Sequence, residues 1–195
     1  MRARTSAARV VTTPCAIASA PVDASSKTWN LCDSMPVPID KKFGVLCEIT
    51  RAQHFAWHAA VRKLCPDVDP AKVTCEMWRV TGEQTGQAYV RRIDRQLPLA
   101  PQIADGICWS SECMGEDAAH VPGASDREAF VVHSACPWQR WHEQQGLVSE
   151  DRPGCDEWFR ATIDAINRAL GSNVRFETVE ALPEGGHACR RRIWE

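Results

Sequence analysis

Three cysteines in the last third of the chain lie where local sequence could make a thiol reactive or ligating. Cys136 precedes Pro137 in the stretch V-V-H-S-A-C-P-W-Q-R-W-H. The residue before a proline is held extended, and proline favours the first position of a helix. The Cys136 thiol is therefore expected at the positive end of a helix dipole, which favours thiolate. Cys155, in G-C-D-E-W-F, is expected in the first turn of a later helix, pointing inward, with Asp156 beside it. Cys189, in H-A-C-R-R-R, shares strand parity with Ile193 and is expected to face the core. One chemistry for this set is nucleophilic, with Cys136 attacking and His142, the nearest histidine on the following helix, as general base. The alternative for each cysteine is a buried small apolar residue.

Metal ligation is the rival chemistry. His133 and Cys136 stand three apart, and with Cys155 and Cys189 they would complete a Cys3His tetrahedron for a divalent transition metal. Strand alternation opposes this, because it puts His133 and Cys136 on opposite faces unless the chain turns at Ser134-Ala135. Cys108 and Cys113 also differ in parity. His54 and His58 share a helix face, a spacing at which two imidazoles can hold an ion, but no third ligand has a fixed relation to them. Eight tryptophans accompany a single tyrosine. Trp109, Trp138, Trp141, Trp158 and Trp194 could line a cavity for a planar ligand, and Trp138 and Trp109 are the expected substrate contacts. Arg191, in phase with Cys189, is placed to clamp a carboxylate.

The elements that must position these residues follow from periodicity and punctuation. Residues 1–42 are rich in Ala, Ser, Thr and Pro, and read as a disordered leader in which Cys15 and Cys32 are bystanders. Residues 43–195 read as a single α+β domain. Its first helix spans 45–64, with Ile49, Phe55, Ala59 and Leu64 on one side and Arg51 on another. Asp69-Pro70 starts a second helix that runs to about Gln96. Gly82 and Gly86 inside it make a flat strip that another element can approach closely. Residues 103–114, 118–121 and 127–135 read as antiparallel strands, with Ala129, Val131 and His133 on one face of the last. A short helix 138–145 ends at Gly146, and a helix 155–170 ends at Gly171. Strands 174–182 and 187–194 form a closing hairpin around Pro183-Glu184-Gly185-Gly186. The fold class is α+β: an antiparallel sheet with a packed C-terminal helix and two N-terminal helices.

The totals exclude several classes. A net charge of −2 over 195 residues gives no electrostatic basis for nucleic-acid binding. No apolar run approaches the roughly 20 residues of a membrane span. Ten cysteines in a chain of this size, with no convincing signal peptide, read as free or metal-bound thiols in a reducing cytoplasm. The expected partner is a small-molecule substrate or ligand, and a homo-oligomer is compatible with the sequence.

C-P-W, then C-D at a helix start, then a hairpin of the form L-x-E-G-x-x-x-C together resemble the L-2-amino-thiazoline-4-carboxylic acid hydrolase-like family over residues 125–193. The resemblance implies a small α+β protein that hydrolytically opens a C–N bond of a cyclic amidine. The family's cysteines would fall on Cys136, Cys155 and Cys189, its acidic position on Asp156 and its turn glycine on Gly185. The closing hairpin is also similar to that of vinyl-reductase-type ligand-binding domains. That likeness implies the alternative: a sensor that binds a ligand or metal through the same cysteines without turnover.

Overall fold

A computed structural model describes residues 37–195, which form one compact unit, Val37–Glu195. Residues 1–36, which hold most of the expected leader with Cys15 and Cys32, lie outside the described residues. Five helices and four strands follow in the order α1 (Ile39–Leu64), α2 (Pro70–Val90), α3 (Leu99–Cys113), β1 (Asp117–Pro122), β2 (Glu128–Ala135), α4 (Pro137–Gln145), α5 (Val148–Leu170), β3 (Arg175–Glu180) and β4 (Cys189–Trp194). The fold is α+β, with all strand pairs antiparallel and the sheet order β1-β2-β4-β3. No helix among the described residues is long and apolar enough to cross a membrane.

The sheet buries one face, as the strand alternation requires. Ala129, Val131 and His133 of β2 and Cys189, Arg191 and Ile193 of β4 all point inward. Helices α3 and α5 cover that face. Ile103 and Ile107 of α3 meet Phe159, Ile163 and Ile166 of α5 around Val131 and Ile193. The closing hairpin turns through a short 3-10 segment, Leu182–Glu184, and Gly185 takes the left-handed conformation that glycine accepts without steric cost.

Helix α2 lies along α5 at unusually short range. A Cβ on Gly82 would stand 2.5 Å from the Trp158 carbonyl oxygen, and one on Gly86 would stand 2.5 Å from that of Thr162. The two glycines therefore form the flat strip that their spacing predicts. Val80, Gln84 and Ala88, which recur at helical spacing, are exposed, and the buried face of α2 is Thr74, Gly82, Gly86 and Tyr89. Asp69 caps α2 as expected, accepting from the Ala71 N–H at 3.0 Å, but the helix ends at Val90, before Gln96.

Three further expectations need correction. Residues 103–113 are not a strand: they belong to α3, whose N-cap is Pro98 and whose first turn holds Pro101. Proline lacks only an N–H that the first helical turn leaves unpaired anyway, so it starts a helix as readily as it stops one. Helix α5 begins at Val148, so Cys155 sits two turns inside it and not at its N-terminus. Pro153-Gly154 reads as a break, yet at this depth Pro153 forfeits one backbone hydrogen bond and the helix continues. Helix α1 begins at Ile39, inside the expected leader. Its buried face is Cys47, Arg51 and Phe55, while Ile49 and Leu64 are exposed. Arg51 is inward because its guanidinium donates to the Met114 carbonyl at 2.5 Å and to Glu48 at 2.9 Å.

Candidate functional site

A cavity of about 370 Å³ opens between the inner face of the sheet and the helix layer, a volume suited to a small organic ligand. Six elements build its wall. Trp78, Thr81 and Thr85 come from α2, and Ile107, Ser110 and Ser111 from α3. Strands β2 and β4 contribute His133, Cys189 and Arg191, and the two later helices contribute Trp138, His142, Asp151, Cys155, Trp158 and Phe159. Cys136, Cys155 and Cys189, separated by 53 residues of chain from first to last, all border this one space.

The chain folds them there for local reasons. Cys136 is the N-cap of α4, extended at φ −127° and ψ 110°, as its proline neighbour dictates. Cys189 pairs directly with His133 across β2 and β4, so both project from the same sheet face. Cys155 arrives on the apolar stripe of α5. Its sulfur lies 3.1 Å from Arg191 Nη2, from which it accepts a hydrogen bond.

None of this favours thiolate. Burial pushes the Cys136 thiol up to about 12, against a modest lowering by the hydrogen bond with the Gln139 backbone. Burial pushes Cys155 up to about 12 as well, although Arg191 pulls it the other way. At Cys136 burial outweighs the helix terminus, and at Cys155, inside α5, no helix terminus is near to oppose it. At neutral pH both groups are protonated.

The polar groups of the wall form separate pairs. His133 Nε2 is 3.0 Å from Ser111 Oγ and 3.5 Å from Glu116 Oε2. Glu116 Oε1 accepts from Trp138 Nε1 at 2.7 Å. His142 Nδ1 lies 2.9 Å from both the Trp138 carbonyl and Asp151 Oδ2. Behind this wall, Glu150 takes contacts from His58 at 3.0 Å and from the Thr74 hydroxyl at 2.8 Å. His54 beside them is lowered to about 4, first by burial and then by the charges of His142 and His58. These histidines tie α1, α2, α4 and α5 together rather than forming the open ion-binding pair their spacing allows.

Several expected site residues lie elsewhere. Trp109 is half exposed on α3, where Arg92 stacks on its ring at 4.1 Å, and it does not border the cavity. Trp141 stacks on Phe55 at 5.5 Å, and Trp194 stacks on Arg192 at 4.7 Å. Asp156 stands behind the wall, accepting from the Thr178 hydroxyl at 2.6 Å and from Arg152 at 3.3 Å. The metal set Cys136, Cys155, Cys189 and His133 shares a cavity but not a ligation sphere: among the described residues no three His, Cys, Asp or Glu side chains converge closely enough to hold an ion. The sheet pairing spaces them along its strands, and Cys136 projects from beyond the strand end.

Trp78, Thr81, Thr85, Ser111, Glu116 and Asp151 are wall residues that the sequence reading missed. The signal for the first three was the Gly82/Gly86 strip, since an α2 face pressed against α5 must present its neighbouring side chains to whatever α5 borders. Reading α3 as a strand hid Ser111.

No protein-family model matches the chain, and no curated protein matches it. Among solved structures it is similar to trafficking protein particle complex subunit 3 from Naegleria fowleri, a structure described as covalently bound to palmitic acid. The identity is 12%, the match covers 77% of this chain and 95% of that one, and the TM-score is 0.48. A likeness at that level bears on neither ligand nor partner.

Proposed function

We propose that the protein is a small-molecule-binding domain that uses this cavity without cysteine nucleophilicity. The observation that carries the reading is the cavity itself: about 370 Å³, walled by Trp78, Trp138, Trp158 and Phe159, with thiols held protonated. An apolar space of this size with a few inward polar groups is suited to enclosing the body of a ligand and fixing its orientation through those groups. The test is binding of the neutral fluorophore N-phenyl-1-naphthylamine. Saturable enhancement in the parent protein, abolished by Thr85→Trp at the half-buried α2 wall, is expected. Equal enhancement in both proteins would place the dye on the outer surface and sink the reading.

Hydrolysis of a cyclic amidine is the second reading, and one observation favours it. His142 borders the cavity with its Nδ1 bonded to the Trp138 carbonyl and 2.9 Å from the Asp151 carboxylate, an arrangement that orients an imidazole as a general base. Water, not Cys136, is then the nucleophile. His142 takes one water proton as oxygen bonds to the amidine carbon and passes it to the ring nitrogen. The hydroxyl left on that carbon then gives its proton by the same route as the carbonyl forms and the C–N bond breaks, so both water protons end on nitrogen. On 2-amino-thiazoline-4-carboxylate, turnover should survive Cys136→Ser and fall by roughly 10²-fold or more in His142→Gln. Loss of turnover in Cys136→Ser with retention in His142→Gln would reverse these roles.

A further inference from the structure

Arg191 is 2% exposed and borders the cavity, yet its Nε has no hydrogen-bond partner. A buried cation with an unmade hydrogen bond is costly unless something of opposite charge completes it. The wall offers two other charged or titratable pairs, Glu116 with His133 and Asp151 with His142, each holding its opposite charges together. Glu116 accepts from Trp138 and stands 3.5 Å from His133, and Asp151 Oδ2 stands 2.9 Å from His142 Nδ1, although that oxygen, like His133 Nδ1, makes no hydrogen bond. Cys155 accepts from Arg191 as a neutral thiol and contributes no counter-charge. Asp156 is the nearest carboxylate, but its Oδ1 stands 4.0 Å from Nε, beyond hydrogen-bond reach, and its oxygens already accept from Thr178 and Arg152. The guanidinium is held in place by its stack on Phe159 at 4.7 Å and by its bond to Cys155, so it does not swing out to water.

From this geometry, and resting on the small-molecule-binding reading, we infer that the cavity's ligand is an organic anion, its carboxylate or sulfonate seated against Arg191 and its apolar body among Trp78, Trp138 and Trp158. The planar guanidinium suits such a group, and a buried cation whose nearest carboxylate is too far to accept from Nε favours an anion over a neutral ligand, which leaves that hydrogen bond unmade. Shape is then read by the tryptophans and charge by a single residue of β4.

The experiment displaces N-phenyl-1-naphthylamine with 2-naphthoate and with 2-naphthamide, which share ring and outline and differ in charge. In the unmodified protein, naphthoate is expected to displace the dye at a concentration at least about tenfold lower. Arg191→Met should bring the two competitors within about threefold of each other while the neutral dye still binds, which doubles as the check that the variant is folded. Equal potency in the unmodified protein, or a preference for naphthoate that survives Arg191→Met, overturns the inference while leaving the cavity reading intact. Should the methionine variant fail to fold, Arg191→Lys keeps the charge but loses the two-pronged fork. Naphthoate affinity should then fall about fivefold or more, with naphthamide within about twofold, and unchanged naphthoate affinity overturns the inference. If the dye does not enter the unmodified protein at all, the cavity reading fails and this inference falls with it.

Discussion

A buried thiol answers to its solvent before it answers to a helix dipole. Cys136 keeps the N-cap geometry expected of it, and still its proton is held up to about 12 by burial. Two consequences are measurable. Iodoacetamide at pH 8 should label exposed Cys65 and Cys113 at least about tenfold faster than Cys136 and Cys155 in the native protein, the difference vanishing in urea. Since the folded thiols titrate above their unfolded value near 9, the unfolded chain releases protons first as pH rises. Their contribution to stability is complete below about pH 9 and is lost between 9 and about 12. Cys136→Ala with Cys155→Ala should flatten that part of a stability–pH curve. His54 works in the opposite direction. Held down to about 4, it charges in the unfolded chain first, so stability falls as pH drops from about 6.5 towards 4. His54→Phe should move the acid midpoint of unfolding lower, and an unmoved midpoint would assign the acid limb to other groups.

At the scale of elements, α2 packs tightly against α5 through Gly82 and Gly86. Alanine there gains about 1 kcal/mol in helix propensity, but its Cβ meets backbone oxygen at 2.5 Å, which cannot relax as a flexible side chain would. Gly86→Ala is expected to destabilise by about 1–3 kcal/mol in urea unfolding, and any gain in stability would mean that the helices part easily. It should weaken dye binding too, since Trp78 and Trp158 are carried by the two helices being forced apart. The glycine strip was legible because a gap of four puts both residues on one helical face. The β2 alternation was legible for the same kind of reason: Ala129, Val131 and His133 repeat at two. What was not legible came from ambiguous punctuation. Proline at Pro98, Pro101 and Pro153 can open a helix, sit in its first turn or interrupt it, and the difference lies in tertiary cover that local sequence does not encode. A helix dense in apolar residues, such as α3, also loses the polar face that would set its period apart from that of a buried strand.

For the whole molecule, the cavity joins parts that are far apart in sequence. Its wall takes residues from Trp78 to Arg191, on four helices and two strands. Inward positions were legible for Cys155 and Cys189, but that Cys136 joins them at one cavity was not, because helix register and strand parity do not give the distance between elements. Because so many elements share the wall, an occupant that binds only the folded chain adds to global stability. At a hundredfold excess over its Kd, 2-naphthoate should add about 2.7 kcal/mol and raise Tm by about 5–10 °C. A shift that is equal for 2-naphthamide at matched concentration would argue that charge plays no part.

The tryptophans of the wall give the protein a built-in optical gauge. Trp78 and Trp138 stand edge to face at 5.4 Å, Trp138 is pinned by Glu116, and Trp158 rests edge-on to Phe159 at 5.1 Å. Indoles packed this closely beside thiols and imidazoles pass excitation to one another and lose it to their neighbours, so the empty protein should be dim for a chain with eight tryptophans. Whatever enters the cavity comes between emitter and quencher, and its arrival is written directly in the brightness and colour of the unlabelled protein.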